Sequence, residues 1–442
     1  MLKRHAGNGS KSVKAKMEQK VRQSRALRGE VVPPGDKSIS HRAAILNSIA
    51  FGKGRINNFS PSADFLSTIS CLRALGVEIE DQGTSIAVFG KGMGGLTEPH
   101  DVLDAGNSGT TMRLLAGLLS AQPFLSIITG DQSLRSRPMD RLIRPLRLMG
   151  ADIWGRERGS QAPLVIKGGQ LHGIQYQLPI ASAQVKSAIL LAGLFAQGET
   201  TIEEPAFSRD HTERLLKAMG GEIEVEGRRI TISPSSLSAI DLHIPGDLSS
   251  AAFWLVAGTI HPHAEIKIRD VGVNPKRSGI IDVLKAMGAD LRVENERMEG
   301  GEPIADISAR SSSLVATHVA GELVPRLIDE IPVIAVAACV AEGTTVIRDA
   351  QELRVKEADR IATTVKELSK FGAEIEELPD GMVIQGGKRL RGAECYSHQD
   401  HRLAMSLGVA ALVAEGETII HGAEAVNFSD PGFWRDLARL SK

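Results

Sequence analysis

Cysteine is scarce in this chain of 442 residues. Its three cysteines stand at positions 71, 339 and 395, each inside an apolar stretch, and no CxxC pattern occurs. Isolated cysteines in an odd number favour neither a disulfide framework nor a zinc site. The histidine of QDHR (399–402) has no second histidine or cysteine at ligand spacing. We therefore expect no metal ion.

Excess charge and long apolar runs are missing as well. The 52 Lys and Arg against 53 Asp and Glu leave a net charge of −1, which does not indicate a general nucleic-acid or membrane-surface binder. The longest apolar run, Ile331 to Ala341, is too short to span a bilayer. We expect no nucleic-acid partner and no membrane partner. The length exceeds one ordinary core, so two or three domains are expected.

The start of the chain differs from the rest in charge. The first 28 residues carry nine Lys or Arg against one acid, Glu18, with little apolar content and no apolar core of a secretory signal peptide. We predict that residues 1–27 form a disordered basic leader. A transit peptide and an anion-binding arm are the alternatives.

Two sequence patterns recur through the chain. Five helix ends share a glycine followed by a β-prone run, as expected where a helix stops and a strand begins. They read LRALGVEIE (72–80), LRLMGADIW (146–154), LKAMGGEIE (216–224), LKAMGADLR (284–292) and LSKFGAEIE (368–376). Six polar turns lead into apolar helices about 65 to 82 residues apart. They read PGDKSISHRAAIL (34–46), AGNSGTTMRLLAGLL (105–119), PIASAQVKSAILLAG (179–193), PGDLSSAAFWLVAG (245–258), LIDEIPVIAVAAC (327–339) and HQDHRLAMSLGVAAL (398–412).

These patterns predict six βαβαββ units arranged as two sets of three, because PGDKS and PGDLSS head the first and fourth units. The fold class is α/β (α+β), with two similar domains whose apolar helices are buried. Hinges near Pro34 and Pro245 divide the chain into a first domain, 36–244, and a discontinuous second domain, 28–35 with 245–442.

Polar residues with possible chemistry cluster at the predicted helix starts. Lys37 and Ser38 should stand in the first turn of a helix, where free N–H groups and the helix dipole suit an anion, with Arg42 about one turn on. A solvated helix start is the alternative. The glycines and hydroxyls of GNSGTTMR (106–113) allow a phosphate or carboxylate to approach, and a structural turn is the alternative.

Second-helix starts contribute arginines. Arg137 precedes Pro138, which we place at the first position of a helix, and Arg209 stands at the matching place in the third unit. A guanidinium there suits a carboxylate or phosphate. Ser182 and Gln184 precede an apolar helix, and an ordinary N-cap is the alternative for Ser182.

Carboxylates stand at the last helix starts. Asp329 adjoins an otherwise apolar helix, where an acid indicates a function or a cap. Lys356, Glu357 and Arg360 lie close together in LRVKEADR (353–360), which fits either helical salt bridges or a proton donor beside anion clamps. With Arg402, the whole set predicts an enzyme that binds two small polyanions and moves protons between them.

These motifs together resemble the 5-enolpyruvylshikimate-3-phosphate synthases, a family of enolpyruvyl transferases. The resemblance runs from about Arg28 to Leu440 and rests on six motifs in the family's order. They are PGDKSISHR (34–42), GNSGTTMR (106–113), RPM (137–139), SAQ (182–184), RVKEADR (354–360) and DHRLAMS (400–406).

The resemblance implies an inside-out α/β barrel in each of two domains, with buried helices and outer sheets. It implies transfer of the enolpyruvyl group of phosphoenolpyruvate to the 5-hydroxyl of shikimate 3-phosphate, with loss of phosphate and without a cofactor. It further implies a cytoplasmic monomer whose phosphoenolpyruvate site is the target of the herbicide glyphosate, for which Gly109 leaves room.

The family's roles carry over to matching positions. Asp329 would accept the proton of the substrate hydroxyl, and Lys356 with Glu357 would handle proton transfer at the methylene carbon, with Lys37 as the fourth catalytic residue. The shikimate 3-phosphate site would comprise Lys37, Ser38, Arg42, Ser182, Ala183, Gln184, Arg209, Asp329 and Lys356. The phosphoenolpyruvate site would comprise Lys37, Gly109, Arg137, Gln184, Arg360 and Arg402. Ala183 stands where some members have a second serine, so only its backbone N–H is available.

Two other readings remain at the level of sequence. The related enolpyruvyl transferases that act on UDP-N-acetylglucosamine share the fold but carry a loop cysteine, whereas the cysteines here stand in TISCLRALG, VAACVAEG and AECYS. A non-catalytic binding protein would have no need of Asp329, Lys356 and Glu357.

Overall fold

Small β-sheets surround two groups of apolar helices in this protein. The computed structural model describes residues 17–441, and those residues form six sheets, five with four strands and one with three. The expected α/β fold with buried helices and outer sheets is confirmed.

The first half of the chain forms three units. Two strands precede them, β1 (Glu18–Arg22) and β2 (Leu27–Val31). The first unit contains α1 (Lys37–Ser48), β3 (Phe51–Asn57), α2 (Ala63–Ala74), β4 (Glu78–Asp81) and β5 (Ser85–Lys91). The second contains β6 (Leu103–Asp104), α3 (Gly109–Leu119), β7 (Leu125–Thr129), α4 (Gln132–Ser136), α5 (Asp140–Leu148), β8 (Asp152–Gly155), the single turn α6 (Arg156–Gly159) and β9 (Gln161–Lys167). The third contains β10 (Gln175–Gln177), α7 (Ala183–Gly193), β11 (Thr200–Glu203), α8 (His211–Ala218), β12 (Ile223–Glu226) and β13 (Arg229–Ile232), and β14 (Leu242–His243) follows it.

The second half repeats this order. The fourth unit contains α9 (Leu248–Ile260), β15 (Ala264–Gly272), α10 (Gly279–Ala286), β16 (Asp290–Glu299) and β17 (Glu302–Arg310). The fifth contains β18 (His318–Val319), α11 (Ile331–Val340), β19 (Thr344–Ile347), α12 (Arg360–Lys370), β20 (Glu374–Leu378) and β21 (Gly381–Gln385). The sixth contains β22 (Glu394–Tyr396), α13 (His401–Ala411), β23 (Glu417–His421) and α14 (Phe433–Leu440). Within residues 17–441, four 3-10 turns lie at Gly321–Arg326, Ile328–Glu330, Gln351–Val355 and Ala423–Phe428.

The five repeated glycines end helices as predicted. Each follows its helix by two residues with a positive φ, which only glycine adopts freely, and so turns the chain into the next strand. The values are 84° at Gly76, 100° at Gly150, 87° at Gly220, 89° at Gly288 and 82° at Gly372.

The first helix of each unit is the buried one. α9 is buried along all thirteen residues and α13 along all eleven. A helix that is apolar all round needs neighbours on every side, and here α9, α11 and α13 contact one another, as do α1, α3 and α7 in part. Within residues 17–441 no helix combines the length and apolarity that a bilayer crossing requires.

Buried apolar side chains form two separate clusters. One contains residues between Ile39 and Ile244, and the other contains Val21, Leu27 and Val31 with residues from Leu248 to Leu440. The chain therefore passes between the clusters at two places, which we call the crossover segments (32–36 and 244–248).

Each crossover segment exchanges a strand between units. β2 precedes α1 but lies parallel to β15 of the fourth unit, with Leu27 opposite Ala264. β14 precedes α9 but lies parallel to β3 of the first unit, with Leu242 opposite Ile56. The two segments pair with each other, because Asp36 N–H donates to Pro245 O (2.7 Å) and Asp247 N–H donates to Pro34 O (2.8 Å).

The start of the chain differs from the prediction of a disordered leader over residues 1–27. Glu18–Arg22 form β1, which pairs antiparallel with β23 from Glu18 opposite His421 to Arg22 opposite Glu417. The sixth unit ends in α14 without a terminal hairpin, so β1 takes the place of the missing strand and buries Val21. The prediction is wrong for these residues, and residues 1–16 lie outside the described part of the chain.

The prediction of Pro138 at the first position of a helix is also wrong. α4 ends at Ser136 and α5 begins at Asp140, with Met139 as its N-cap residue. Arg137 is extended, with ψ of 144°, because a residue before proline is pushed out of the helical region.

Candidate active site

Asp329 lies among four cations where the two clusters meet. It stands in the 3-10 turn Ile328–Glu330, directly before α11. The Arg209 Nη2 lies 2.7 Å from its Oδ2, and the other three cations face Oδ1. Those distances are 3.1 Å from Arg360 Nη1, 3.7 Å from Lys356 Nζ and 4.0 Å from Arg402 Nε. Arg209 comes from the first half of the chain and the other residues from the second.

The cations decide the charge of Asp329. Burial works to raise the pKa of this carboxyl, but the cations outweigh burial and hold the pKa well below its usual range. They are, in order of effect, Lys356, Arg402, Arg209 and Arg360. The carboxylate is therefore ionised at neutral pH.

Arg360 connects Asp329 to two further carboxylates. Its Nε lies 2.7 Å from Asp400 Oδ2 and its Nη2 lies 2.6 Å from Glu357 Oε2. Burial works to raise the pKa of Glu357, but Arg360, Lys356 and Lys37 together outweigh burial and the pKa falls below its usual range. Glu357 is therefore ionised, and it shares Arg360 and Lys356 with Asp329.

The segment LRVKEADR is not the continuous helix that a ladder of helical salt bridges requires. A 3-10 turn ends at Val355, Lys356 is extended, and α12 begins at Arg360 with Asp359 as its N-cap. Arg354 pairs with Asp359 (2.8 Å). This break directs Lys356 and Arg360 towards Asp329.

The start of α1 carries a second group of predicted residues. The helix begins at Lys37, as predicted, and Asp36 caps it by accepting from Ile39 N–H. Lys37 Nζ donates to Asp64 Oδ2 (2.9 Å). Burial works to lower the pKa of Lys37, but Asp64 outweighs burial and the pKa lies above its ordinary value. A substrate anion that reaches Lys37 therefore meets an ammonium group already paired with a carboxylate.

Arg42 is held by neutral oxygens. Its Nε donates to Thr212 Oγ1 (2.7 Å), its Nη2 to Ser187 Oγ (2.7 Å) and its Nη1 to the Ser38 carbonyl (2.9 Å). The side chain is buried and its pKa is lowered to about 10 by burial. It contributes a fixed positive charge below the first turn of α1.

The third group stands at the starts of α3 and α7. Gly109 is the first residue of α3, and a Cβ at this position would lie 2.9 Å from Arg113 Nη1 and 3.5 Å from Arg137 Nη1. Gln184 accepts a hydrogen bond from Arg113 Nη1 and donates to Thr110 Oγ1 (2.9 Å). The guanidinium of Arg113, which was not among the predicted site residues, thus lies close to Gly109 and Gln184. Arg137 approaches Gly109 as well.

Ser182 and Ala183 have local roles at α7. Ser182 is the N-cap, and its hydroxyl accepts from Val185 N–H at 3.5 Å, a long contact. Ala183 is the first helical residue. The N-cap interpretation of Ser182 is confirmed. Gln184 is the second residue of this helix and therefore lies at its N-terminus.

His401 is neutral at physiological pH. It opens α13 between Asp400, the N-cap, and Arg402. Burial, with Arg402, lowers the pKa of the imidazole to about 4. Its Nε2 is buried and has no hydrogen-bond partner within residues 17–441.

Sequence reasoning missed three residues of these groups. Asp64 stands in the first turn of α2, a second-helix start, so the rule that selected Arg137 and Arg209 could have selected it. Asn107, whose Oδ1 accepts from Arg137 Nη2 (2.7 Å), and Arg113 both lie inside GNSGTTMR. Both residues belong to a motif that we had singled out, but the prediction considered only its glycines and hydroxyls.

The groups meet the needs of polyanion chemistry. Cations from both halves of the chain surround two ionised carboxylates, and these cations stand at or just before the starts of α1, α8, α12 and α13. Such a site can bind phosphates and carboxylates and accept protons beside them. Among residues 17–441, no three His, Cys, Asp or Glu residues are grouped as metal ligands would be.

Comparison with known proteins gives a consistent result. A family model described as EPSP synthase (3-phosphoshikimate 1-carboxyvinyltransferase) matches residues 21–437. A relative from Herpetosiphon aurantiacus, named 3-phosphoshikimate 1-carboxyvinyltransferase, is 56% identical over 430 residues, which are 96% of this chain and 100% of that protein. A relative of the same name from Gloeobacter violaceus is 56% identical over 420 residues, covering 94% of this chain and 97% of that protein.

Solved structures agree. The EPSP synthase of Acinetobacter baumannii superposes with a TM-score of 0.89 at 45% identity, covering 97% of this chain and 98% of that one. The enolpyruvyl transferase NikO from Streptomyces tendae superposes with a TM-score of 0.77 at 20% identity, covering 96% of this chain and 97% of that one. The second likeness concerns the fold alone.

Proposed function

The chain belongs to the EPSP synthase family, and we infer that it transfers the enolpyruvyl group of phosphoenolpyruvate to the 5-hydroxyl of shikimate 3-phosphate and releases phosphate. The reaction is a step of the shikimate pathway towards chorismate and the aromatic amino acids. The observation that carries the assignment of roles is the set of four cations around Asp329, drawn from both halves of the chain. It offers a base and anion contacts in one place.

The chemistry is an addition followed by an elimination. The 5-hydroxyl oxygen bonds to C2 of phosphoenolpyruvate, its proton passes to Asp329, and C3 gains a proton, which gives a tetrahedral intermediate. The C2–O bond to phosphate then breaks, C3 loses a proton, and the vinyl ether forms. Lys356 and Glu357 are proposed for the proton transfers at C3.

Substrate binding would adjust the strength of the base. With four cations nearby, Asp329 is a weak base. A substrate phosphate or carboxylate that pairs with Arg209, Lys356 or Arg402 would share their charge and raise the pKa of Asp329. The carboxylate would thus become a better proton acceptor only when the substrates are present.

The anionic groups are assigned by position. We propose that shikimate 3-phosphate contacts the start of α1, the start of α7, Arg209 and Asp329. The residues are Lys37, Ser38, Arg42, Ser182, Ala183, Gln184, Arg209, Asp329 and Lys356. Phosphoenolpyruvate would lie between α3 and α13, against Lys37, Gly109, Arg137, Gln184, Arg360 and Arg402. Arg113 supports this placement, because it joins Gln184 to the start of α3.

The domain boundaries belong to the same proposal. Residues 36–244 would form one domain and 28–35 with 245–442 the other, supported by the two clusters of buried apolar side chains. Because both domains of one chain supply the site, a monomer suffices for activity. The unpaired thiols at Cys71, Cys339 and Cys395 are those of a reducing compartment such as the cytoplasm, and cell fractionation with sedimentation tests both points.

The test is phosphate release by the purified protein. We expect release from phosphoenolpyruvate with shikimate 3-phosphate and none with UDP-N-acetylglucosamine as acceptor. Release with the nucleotide sugar, or with neither acceptor, would contradict the proposed function.

A further inference from the structure

The two crossover segments each place a carboxylate at the junction. Asp36 and Asp247 follow the paired glycines Gly35 and Gly246 and cap α1 and α9. Both are buried, with 3% and 7% of their surface exposed. A Cβ at Gly35 would lie 1.7 Å from the Asn58 carbonyl oxygen. Only glycine therefore lets the first crossover segment pass this close to the backbone of residue 58.

One arginine faces both carboxylates. Arg277, two residues before α10, has a side chain that is 4% exposed. Its Nη2 lies 2.8 Å from Asp247 Oδ1, and its Nε lies 3.4 Å from Asp36 Oδ2. The same Nη2 donates to Ser249 Oγ at 2.6 Å. A planar guanidinium is suited to such contacts on several sides.

The same guanidinium approaches the candidate base. Its Nη1 lies 3.8 Å from Glu330 Oε1, and Ser249 Oγ also bonds to that carboxylate. Glu330 follows Asp329 in the chain, and Asp36 precedes Lys37. Arg277 therefore touches the immediate chain neighbours of two residues assigned to the site, one from each half.

We propose that Arg277 is a positioning residue for the transfer reaction, which holds the crossover segments together and sets Lys37 and Asp329 at their working separation. It acts through Asp36, Asp247 and Glu330 and need not touch a substrate. Without it, three buried carboxylates would repel one another, and the starts of α1 and α11 would separate. The inference rests on the proposed function, because it concerns the rate of that reaction.

The experiment compares Arg277→Gln, Arg277→Lys and a matched control, Arg326→Gln. Arg326 donates to Pro275 O (2.8 Å) and pairs with Asp282 (2.6 Å), so its loss disturbs the same stretch of chain without reaching the crossover segments. The measurements are kcat and KM for both substrates, calorimetric Kd for shikimate 3-phosphate, and the melting temperature.

We expect Arg277→Gln to lower kcat by about 10²-fold, the usual effect of a misplacement of about 1 Å, while Kd for shikimate 3-phosphate changes less than about tenfold. Arg277→Lys keeps the charge but not the planar fork, so its kcat should lie between those of wild type and Arg277→Gln. Arg326→Gln should behave as wild type.

Three results would overturn the proposal. The first is a kcat within about threefold of wild type in both Arg277 variants, and the second is a parallel loss of kcat and shikimate 3-phosphate binding. The third result applies if Arg277→Gln does not fold: a folded Arg277→Lys variant with wild-type kcat would then contradict the proposal. A wild-type protein that releases no phosphate would instead contradict the proposed function, and the inference with it.

Discussion

At the scale of the residue, Asp329 shows how neighbours determine chemistry. A carboxylate next to an apolar helix would ordinarily be costly, yet here four cations hold it ionised. All four of those cations are also candidates for substrate contacts. These side chains thus keep the pKa of Asp329 low in the free enzyme, and we expect the pKa to rise when substrate anions pair with them.

Asp329→Asn tests this charge balance. We expect kcat to fall by at least about 10²-fold, since the proton acceptor is lost. Binding of shikimate 3-phosphate should not weaken, because four cations remain without their carboxylate. Phosphate release and calorimetry measure the two effects.

The control is Glu352→Gln, which removes an exposed carboxylate paired with Arg141 at 3.7 Å. It should leave kcat unchanged. An Asp329→Asn enzyme with ordinary kcat would show that another group accepts the proton.

Asp430 supplies a pH-dependent effect on stability. Burial raises the pKa of this carboxyl to about 7, and Asp436 and Asp247 add to the rise. Between pH 4 and pH 7 the folded protein holds this proton while the unfolded chain has lost it, so this group makes stability fall as pH rises through that window.

Asp430→Asn should therefore be more stable than wild type at pH 8, and its advantage should shrink below pH 7 and vanish near pH 4. Melting temperatures across this range measure the difference. Asp290→Asn, which alters a surface pair with Arg292 at 3.6 Å, serves as the control. A constant difference across the range would contradict the prediction.

Residue types in motifs indicated much of the site, but not how its charges pair. Asp329, Lys356 and Arg360 stood out in the sequence, and in the structure Lys356 and Arg360 both approach Asp329. Their link to Arg209, 120 residues away, depends on the path of the chain between the halves. Arg277 was invisible for the same reason, because its partners come from three distant segments.

At the scale of the element, the helix starts carry the chemistry. Their N-caps are short polar side chains, such as Ser108 at α3 and Ser182 at α7, and their bodies are buried. A fixed helix start holds its first-turn residues in place at little entropic cost. The approach of Gly109 to Arg113 and Arg137 is one result.

Gly109→Ala should interfere with this approach. The added methyl would lie 2.9 Å from Arg113 Nη1 and 3.5 Å from Arg137 Nη1, so the guanidinium groups must move. We expect KM for phosphoenolpyruvate to rise by about tenfold, equivalent to about 1.4 kcal/mol, with less effect on KM for shikimate 3-phosphate. Inhibition by glyphosate should weaken in step.

Gly94→Ala is the matched control, because a Cβ there meets nothing within 4 Å. It should leave both constants unchanged. Equal KM values in Gly109→Ala and wild type would remove Gly109 from the phosphoenolpyruvate site.

Local signals predicted the elements well where one residue decides the backbone. The glycines after the second helices did so, since only positive φ continues the chain there. The segments around Pro138 and Lys356 were harder, because a helical pattern of charges says little about where a helix breaks. In both segments the break directs an arginine towards its partner.

At the scale of the whole molecule, three strands pair with strands that lie far away in the sequence. β2 and β14 cross between the clusters, and β1 completes the sheet of β22 and β23. The basic, weakly apolar composition of residues 1–27 predicted disorder. The sequence did not reveal β1, because this strand is stabilised by its pairing with β23, about 400 residues away.

Removal of β1 should destabilise the fold. A variant that begins at Ser24 loses the pairing with β23 and the burial of Val21, worth about 1.5–3 kcal/mol for the side chain alone. Its melting temperature should lie several degrees below that of a variant that begins at Met17 and keeps β1. Equal melting temperatures would show that β1 contributes nothing to stability.

The pairing of β1 with β23 also has a consequence for the making of the protein. β1, the first strand among residues 17–441, finds its partner only when residues 417–421 have emerged from the ribosome. At about 5–20 residues per second this wait lasts roughly 20 to 80 seconds. During that time β1 is unpaired on the nascent chain, which leaves its backbone N–H and C=O groups open to a chaperone.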